Sequence, residues 1–538
     1  MKSIWITLLW PVLNQIFLIE YLSMWLRRSK VTTRAECIRT RFGSGRGGVQ
    51  SHWIVVFFSL ISCLGFLTYG FIGLGKFVEI FIPWEVVSPY IPFEVPPQYV
   101  AHVYGSVFTL FALFYAILGG MSGIVWADVI QYTIMTISAV VIGVIAMNAL
   151  ADNPLVVPEG WMNPFFGARL DLDWSHIIAE VNDKIASDGY SLFSIFFSMM
   201  LFKGILVSLA GPAPNYDMQK ILSTKSPKEA AKMSGAVSVI LLPTRYIMIT
   251  GFAVLGLIFY DRLDLIVGGQ IDFEQILPSA ISQFVPVGFM GLLLAGLLAA
   301  FNSTFAGTLN SSQAYIVNDI YLKYFRPDAS RRQISRMNYL TGSGVVAICV
   351  SFGFFAMDVN SVLQWIVSAL FGASPGSNLL KWYWWRFNGS GFVWGMVAGI
   401  ISALICSRIF TFLDLYYFPI ILVVSAIAAI IGTYMKAPTD EETLKSFYKN
   451  VKPWGFWKPV HDKVVAEDPS FEGNKDFRRD MFNIVVGTIG QTTLMIFPIY
   501  LVLKRLLPMG ITLAIITVCF IIMKKTWWDR LPDDKIKA

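Results

Sequence analysis

Residues 298–321 read LAAFNSTFAGTLNSSQAYIVNDIY, an apolar stretch that carries two adjacent hydroxyl side chains, Ser303 and Thr304. Hard cations prefer oxygen ligands, and polar groups inside a bilayer must find partners within the protein or on a ligand. Ala300, Ser303 and Thr304 stand at positions i, i+3 and i+4, so they lie on one face of a predicted helix. The stretch therefore favours one half of a binding site for a desolvated cation such as sodium.

The composition is that of a membrane protein. Of the 538 residues, 55% are hydrophobic and only 14% are charged, and the mean hydropathy is +0.61. About 20 apolar residues cross the hydrocarbon core of a bilayer. Thirteen segments of this kind are predicted: 4–26, 53–83, 101–121, 124–150, 190–211, 235–260, 283–306, 337–357, 360–381, 391–411, 414–435, 482–503 and 508–524. The predicted class is an all-α polytopic membrane protein with about 13 transmembrane helices, whose natural partner is the lipid bilayer.

Several other classes of protein are disfavoured. The five cysteines are scattered without CxxC spacing and the four histidines lie far apart, so neither a disulfide framework nor a zinc site is predicted. The sequence contains no P-loop, no nucleophile elbow and no acid, base and nucleophile constellation, which argues against ATP-driven transport and against an enzyme. The net charge of +7 fits basic cytoplasmic loops better than a nucleic-acid partner.

The distribution of charge predicts the orientation of the chain. Basic loops at 27–46, 220–232 and 323–336 are expected in the cytoplasm, and the acid-rich connection 151–190 is expected outside. The Lys504-Arg505 pair is the one exception. Positive charge follows the first span instead of preceding it, so this span is predicted to be a retained helix and not a signal peptide. A bacterial-type inner membrane is the expected location.

Four motifs together resemble one transporter family. They are YAILGGMSGIVWADVIQ at 115–131, MQKILSTKSPKEA at 218–230, the opening segment 298–321, and Gln364 with ASPG at 373–376. Over about residues 4–388 the chain is similar to the sodium:solute symporters. The resemblance implies the fold of the leucine transporter, which has two inverted repeats of five helices, each beginning with a helix broken at mid-membrane.

The span at 4–26 matches the second helix of the first repeat in this pattern. The expected core is therefore four helices plus five, with an incomplete first repeat. Either Met1 is an internal start, or the chain is a truncated and inactive relative. The predicted domains are a symporter core at 1–388, two accessory transmembrane helices at 389–435, a cytoplasmic connection at 436–480, and two C-terminal transmembrane helices with a tail at 481–538.

The resemblance implies sodium ligands in the opening segment. It assigns the carbonyl of Ala300 and the hydroxyls of Ser303 and Thr304 to a sodium ion, and it places the carboxylate of Asp128 along the exit path of that ion. The alternatives are that the hydroxyls only allow close helix packing or bond to their own backbone, and that Asp128 stabilises a helix N-terminus. One turn further along stands Ala306, which puts a second sodium there in doubt.

Three further residues are candidates for solute binding. Lys203 and Arg245 are predicted near mid-membrane, where a cation costs at least about 2.5 kcal/mol unless it has a partner or a wet cavity. A carboxylated solute is one candidate counter-ion, and backbone carbonyls or Glu20 are the alternative. The resemblance places the amide of Gln364 in the solute cavity, whereas an intramembrane glutamine otherwise joins helices.

The function expected from the resemblance is sodium-coupled uptake of a small organic solute by alternating access. The alternative is an inactive pseudo-transporter or a membrane sensor derived from the same fold. The residues leave open which solute is carried, the ion stoichiometry, the choice between sodium and protons, and the oligomeric state.

Overall fold

The computed structural model describes residues 3, 5, 16–163, 170–187, 204–211, 216–263, 266–267, 270–271, 276–355, 374–410 and 414–532. The helices within these ranges are α1 (Ser23–Arg28), α2 (Arg34–Phe42), α3 (Arg46–Phe81), α4 (Trp84–Val87), α5 (Val100–Asp152), α6 (Glu180–Ser187), α7 (Tyr216–Leu222), α8 (Pro227–Ile258), α9 (Ile276–Phe284), α10 (Val287–Ala314), α11 (Arg331–Phe355), α12 (Pro375–Tyr383), α13 (Gly389–Ile409), α14 (Asp414–Tyr434), α15 (Glu441–Val451), α16 (Lys458–Glu467), α17 (Phe477–Val502) and α18 (Leu506–Thr526). Wider π-helical turns precede α1 at Leu18–Leu22 and extend α10 at Tyr315–Phe325. The strands β1 (Ile266–Val267) and β2 (Gln270–Ile271) form a small antiparallel hairpin, so the described chain is almost entirely helical.

Ten spans among the described residues are long and apolar enough to cross a membrane. They correspond one to one with ten of the thirteen predicted segments, and they confirm the all-α class. The other three predicted segments, 4–26, 190–211 and 360–381, lie wholly or partly outside the described residues. The count of thirteen therefore stays a prediction.

The helix α5 is two helices joined across a sharp kink, and the membrane spans on either side of the kink are Pro97–Ile117 and Gly119–Asp152. At the junction Gly120 adopts φ +52° and ψ −161°, a conformation that side chains with a Cβ strongly disfavour. A Cβ at Gly120 would meet no atom within 4 Å, so the glycine is required by its backbone conformation and not by lack of space. Paired glycines are typical of sharp turns between helices, so the Gly119-Gly120 pair of the motif at 115–131 accounts for this turn.

Both spans of α5 contact α10. Tyr115, just before the turn, donates a hydrogen bond of 2.6 Å to the carbonyl of Asn302 on α10. Further along, Gly296 of α10 approaches so closely that a Cβ there would lie 3.4 Å from the Cα of Met135. Small residues at such contacts let helix backbones approach each other within a membrane. This packing brings Asp128 and the opening segment together.

Residues 436–480, predicted as a cytoplasmic connection, form α15 and α16 and lie against the core. The turn between these helices pairs with the chain that follows α12. The amide of Phe456 donates to the carbonyl of Tyr383 at 2.7 Å, and the amide of Trp385 donates to the carbonyl of Phe456 at 3.2 Å. This segment is therefore docked to the core through backbone hydrogen bonds.

Arg41 of α2 holds the same junction together from the other side. Its side chain is 1% exposed, and its Nε donates to the carbonyl of Lys381 at 3.0 Å. Its Nη2 lies 3.0, 3.2 and 3.0 Å from the carbonyl oxygens of Trp384, Trp385 and Phe387. The guanidinium also stacks over the ring of Trp457 at 4.8 Å. Burial lowers the pKa of Arg41 to about 9, so the side chain stays protonated at neutral pH.

We expect Arg41→Lys to destabilise the protein by about 2 kcal/mol, because an ammonium group keeps the charge but cannot reach several carbonyls with one planar fork. Thermal unfolding of the purified protein in detergent measures the effect. Arg46→Lys is the matched control, because Arg46 is exposed, and it should change the unfolding midpoint little. Equal unfolding midpoints for both variants would contradict the assigned role of Arg41.

Candidate functional site

The site is organised around the carboxylate of Asp128. Ser303 Oγ on α10 donates a hydrogen bond to Asp128 Oδ1. Lys220 Nζ on α7 donates to Asp128 Oδ2 at 2.6 Å, in an ion pair whose side chains are 25% and 21% exposed. Three elements that are distant in sequence thus meet at one acidic group.

Asp128 lies eight residues after the turn at Gly120, which places it in the third turn of its helix. The favourable interaction between an acid and the helix dipole is confined to the first turn. Asp128 therefore lies beyond the turn in which an acid interacts most strongly with the helix N-terminus. Its carboxylate is instead held by side chains of two other helices.

The predicted sodium ligands lie beside this carboxylate. Thr304 Oγ1 donates a hydrogen bond of 3.2 Å to the carbonyl of Ala300. Ser303 is half-buried and Thr304 is exposed. The three residues therefore occupy one face of α10, as the spacing predicts. The hydrogen bond of Thr304 to its own helix backbone also agrees with the alternative that the hydroxyl has only a structural role.

The donor set fits a hard cation. Ser303 and Thr304 use their hydroxyl protons in hydrogen bonds and keep oxygen lone pairs, and the carbonyl of Ala300 adds a third oxygen. Two oxygens that each lie about 2.4 Å from one ion are compatible with the 3.2 Å separation of Thr304 Oγ1 and the Ala300 oxygen. The adjacent Asp128 carboxylate supplies negative charge. One turn further, Ala306 is fully buried and offers no side-chain oxygen.

Arg245 lies on α8, two residues after Pro243, and its side chain is exposed. The hydroxyl of Tyr132 lies 2.7 Å from Oγ1 of the neighbouring Thr244 and 2.6 Å from the carbonyl oxygen of Ile240. Tyr132 stands one turn after Asp128 on α5. The contact therefore joins the segment of α8 that carries Arg245 to the part of α5 one turn beyond Asp128.

Two predicted solute residues, Lys203 and Gln364, lie outside the described residues. Glu20, the acid considered as an alternative partner for the predicted cations, is 1% exposed. Asp480 and Arg479 of α17 lie close enough to interact electrostatically with Glu20.

Sequence reasoning missed Lys220. The lysine lies in the quoted motif at 218–230, where its charge alone predicts only a basic cytoplasmic loop. Its partner Asp128 is 92 residues away in sequence. A lysine next to a membrane helix and an acid inside one is the signal that could have suggested the pair.

Comparisons with known proteins identify the family. A model described as "Sodium:solute symporter family" matches residues 2–399. The sodium/glucose cotransporter of Vibrio parahaemolyticus is 27% identical over 318 residues, which are 55% of this chain and 55% of that protein. The sodium/sialic acid symporter of Aliivibrio fischeri is 24% identical over 343 residues, which are 62% of this chain and 63% of that protein.

A solved structure supports the same fold. It is described as the substrate-bound outward-open state of a Na+-coupled sialic acid symporter, and it matches with a TM-score of 0.56 at 19% identity. The match covers 80% of this chain and 84% of that chain. The alignments with the first curated relatives span between 55% and 63% of those relatives' length.

These findings agree with the ten apolar spans and confirm the leucine-transporter-like fold that the motifs predicted. A family of symporters is also not a family of enzymes. The chain is an integral multi-pass membrane protein and belongs to the sodium:solute symporter family.

Proposed function

We propose that this protein is a sodium-coupled secondary transporter that takes up a small organic solute by alternating access. Its family is named for sodium and solute, and relatives carry the names of sodium cotransporters for glucose, sialic acid and proline. The basic loops expected in the cytoplasm orient the chain for uptake across a bacterial inner membrane. The sodium gradient supplies the work.

The observation that carries the proposal is the hydrogen bond between Ser303 and Asp128 beside the oxygens of Ala300 and Thr304. In our proposal sodium binds the carbonyl of Ala300 and the two hydroxyls. Asp128 lies within hydrogen-bond reach of Ser303 and draws the ion toward the cytoplasm. Lys220 then pairs with the carboxylate after the ion has left, as it does here.

Coupling follows if sodium and solute prefer the same arrangement of the helices, because a ligand shifts only the states that it binds differentially. Sodium bound to α10 coordinates an oxygen lone pair of Ser303, and its positive charge weakens the ion pair between Lys220 and Asp128. The solute binds the arrangement thus favoured. When both ligands leave, the contact of Asp128 with Lys220 on α7 strengthens again and stabilises the unloaded state.

We infer further that the solute carries a carboxylate. Arg245 is exposed on a membrane-spanning helix, and Lys203 is predicted at similar depth. Two cations there need an anion or water to lower the cost of their charge. Gln364 is proposed to bind polar groups of the same solute. Of the solutes in the relatives' names, sialic acid and proline carry a carboxylate and glucose does not.

We expect Ser303→Ala to raise the sodium concentration for half-maximal uptake by about tenfold, because a ligand oxygen is lost. Uptake into proteoliposomes under an imposed sodium gradient measures this value, with radiolabelled sialic acid, proline and glucose as probe solutes. Ser312→Ala is the matched control, since that hydroxyl lies on the same helix and donates only to the carbonyl of Leu309.

An unchanged sodium dependence in Ser303→Ala would contradict the assigned sodium site. Sodium binding without uptake of any probe solute would instead favour the sensor alternative.

Asp128→Asn should lower the maximal rate of uptake by about tenfold and change the sodium concentration for half-maximal uptake much less, because the amide removes the charge that draws sodium inward. Initial rates at saturating sodium measure the effect. Asp328→Asn, an exposed acid in the loop before α11, is the control. A full rate in Asp128→Asn would exclude the exit-path role.

The carboxylate proposal predicts that Lys203→Met and Arg245→Met each weaken uptake of the carboxylated probes by about tenfold, because a buried carboxylate needs a cationic partner. The measurement is the Michaelis constant for the probe that the wild-type protein carries. Lys504→Met, remote from the site in sequence and exposed, is the control. If Lys203→Met leaves uptake and competition by carboxylates unchanged, the carboxylate idea is wrong.

A further inference from the structure

A cavity of about 530 Å³ lies at the predicted cytoplasmic end of the bundle. Its walls come from the end of α10 with its π-helical extension, the start of α11, the turn at Gly120, α7 and the loop after α1. Asn310, which lines the cavity, follows Ser303 by seven residues on α10. The cavity therefore begins about 10 Å along the helix axis from the candidate sodium site.

The charges that line this cavity are all positive. Arg27 and Lys30 contribute them, and no aspartate or glutamate is among the described lining residues. Arg27 Nε donates a hydrogen bond to the carbonyl of Thr224. Glu229, which does not line the cavity, interacts electrostatically with Arg27. The ammonium group of Lys30 makes no hydrogen bond or ion pair with the described part of the chain. The cavity therefore attracts an anion.

The remaining polar lining consists mainly of amide side chains, those of Gln219, Asn310, Gln313, Asn318 and Asn338. Gln313 Nε2 donates to the carbonyl of Asn338 at 2.8 Å, and Asn310 Nδ2 lies 3.7 Å from a methionine sulfur. Gln219 is 7% exposed, and its Nε2 has no hydrogen-bond partner in the described structure. A buried donor without an acceptor is costly, and an acceptor on a ligand in the cavity would satisfy it.

We propose that this cavity is a binding site for a small hydroxylated organic anion. Arg27 and Lys30 hold the oxyanion, which is a carboxylate or a phosphate ester. The amides of Gln219, Asn318 and Asn338 hold its hydroxyl groups, because an amide both donates and accepts hydrogen bonds. The site goes beyond the proposed uptake, since its formation requires neither sodium nor transport.

The position of the cavity connects its ligand to the sodium site. Gln219 is adjacent to Lys220 on α7, and Lys220 holds the carboxylate of Asp128. An anion bound by Gln219 restrains α7 and so favours the arrangement in which Lys220 pairs with Asp128. The ligand is therefore expected to stabilise the state seen here.

Binding is tested on the purified full chain in lipid nanodiscs. The sodium gluconate concentration is varied at constant total sodium, and the thermal unfolding midpoint is recorded. Inorganic phosphate and uncharged sorbitol serve as comparison probes. We expect a saturable rise with gluconate, a rise with phosphate only at about tenfold higher concentration, and no saturable rise with sorbitol.

The variants Lys30→Gln and Gln219→Leu should each weaken the apparent affinity for gluconate by about tenfold. Lys504→Gln is the matched control. Lys30 and Lys504 both adopt φ of 54°, so the same lysine-to-glutamine change is made in the same backbone conformation at both positions. If Gln219→Leu does not fold, Asn338→Ala, at a half-exposed position, replaces it.

Unchanged gluconate affinity in Lys30→Gln, or an equal effect of sorbitol, would overturn the proposal. Equal potency of phosphate and gluconate would overturn the assigned recognition of hydroxyl groups. The readout is binding and not uptake, so the two proposals can fail separately. Uptake of solute without gluconate binding would refute only this site. Gluconate binding without uptake would refute only the transport proposal.

Discussion

A carboxylate inside a membrane-embedded bundle must be hydrogen-bonded or ion-paired, and Asp128 meets this requirement with groups from two other helices. Ser303 of α10 and Lys220 of α7 bind its two oxygens. These contacts fix the position of the Ser303 hydroxyl. They therefore also orient the face of α10 that carries Ala300 and Thr304. In our proposal a cation bound at this face weakens the ion pair of Asp128 with Lys220, and so links ion binding to the arrangement of three helices.

The predicted cytoplasmic face has a second fixed junction. Arg41 donates to the carbonyls at the end of α12, and the turn between α15 and α16 adds backbone hydrogen bonds to the same chain segment. Aromatic rings fill the space around it, including Trp457 beneath the guanidinium. Any movement of α12 relative to α2 must therefore carry the 436–480 segment along or break these bonds.

Much of the fold was predictable because apolar length is a local property. Ten spans, the turn at Gly120 and the shared face of Ala300, Ser303 and Thr304 follow from composition and spacing alone. The docking of residues 436–480 was not predicted, since their charges suggested a solvated connection. Its cause is long-range: Phe456 and Trp457 pack on residues more than 70 positions earlier.

The candidate site shows the same division. The hydroxyl pair was visible in the sequence, whereas the Lys220 and Asp128 pair depends on two segments that only the fold brings together. The exposure of Arg245 likewise depends on how α8 packs against α5, which spacing along one helix does not determine.

Equilibrium binding of radioactive sodium to the purified wild-type protein, measured without any solute and with potassium as competitor, tests the sodium site most directly. We expect saturable binding that unlabelled sodium displaces and potassium does not. Binding that is absent, or that potassium displaces equally well, would contradict the central claim that the oxygens beside Asp128 form a sodium site.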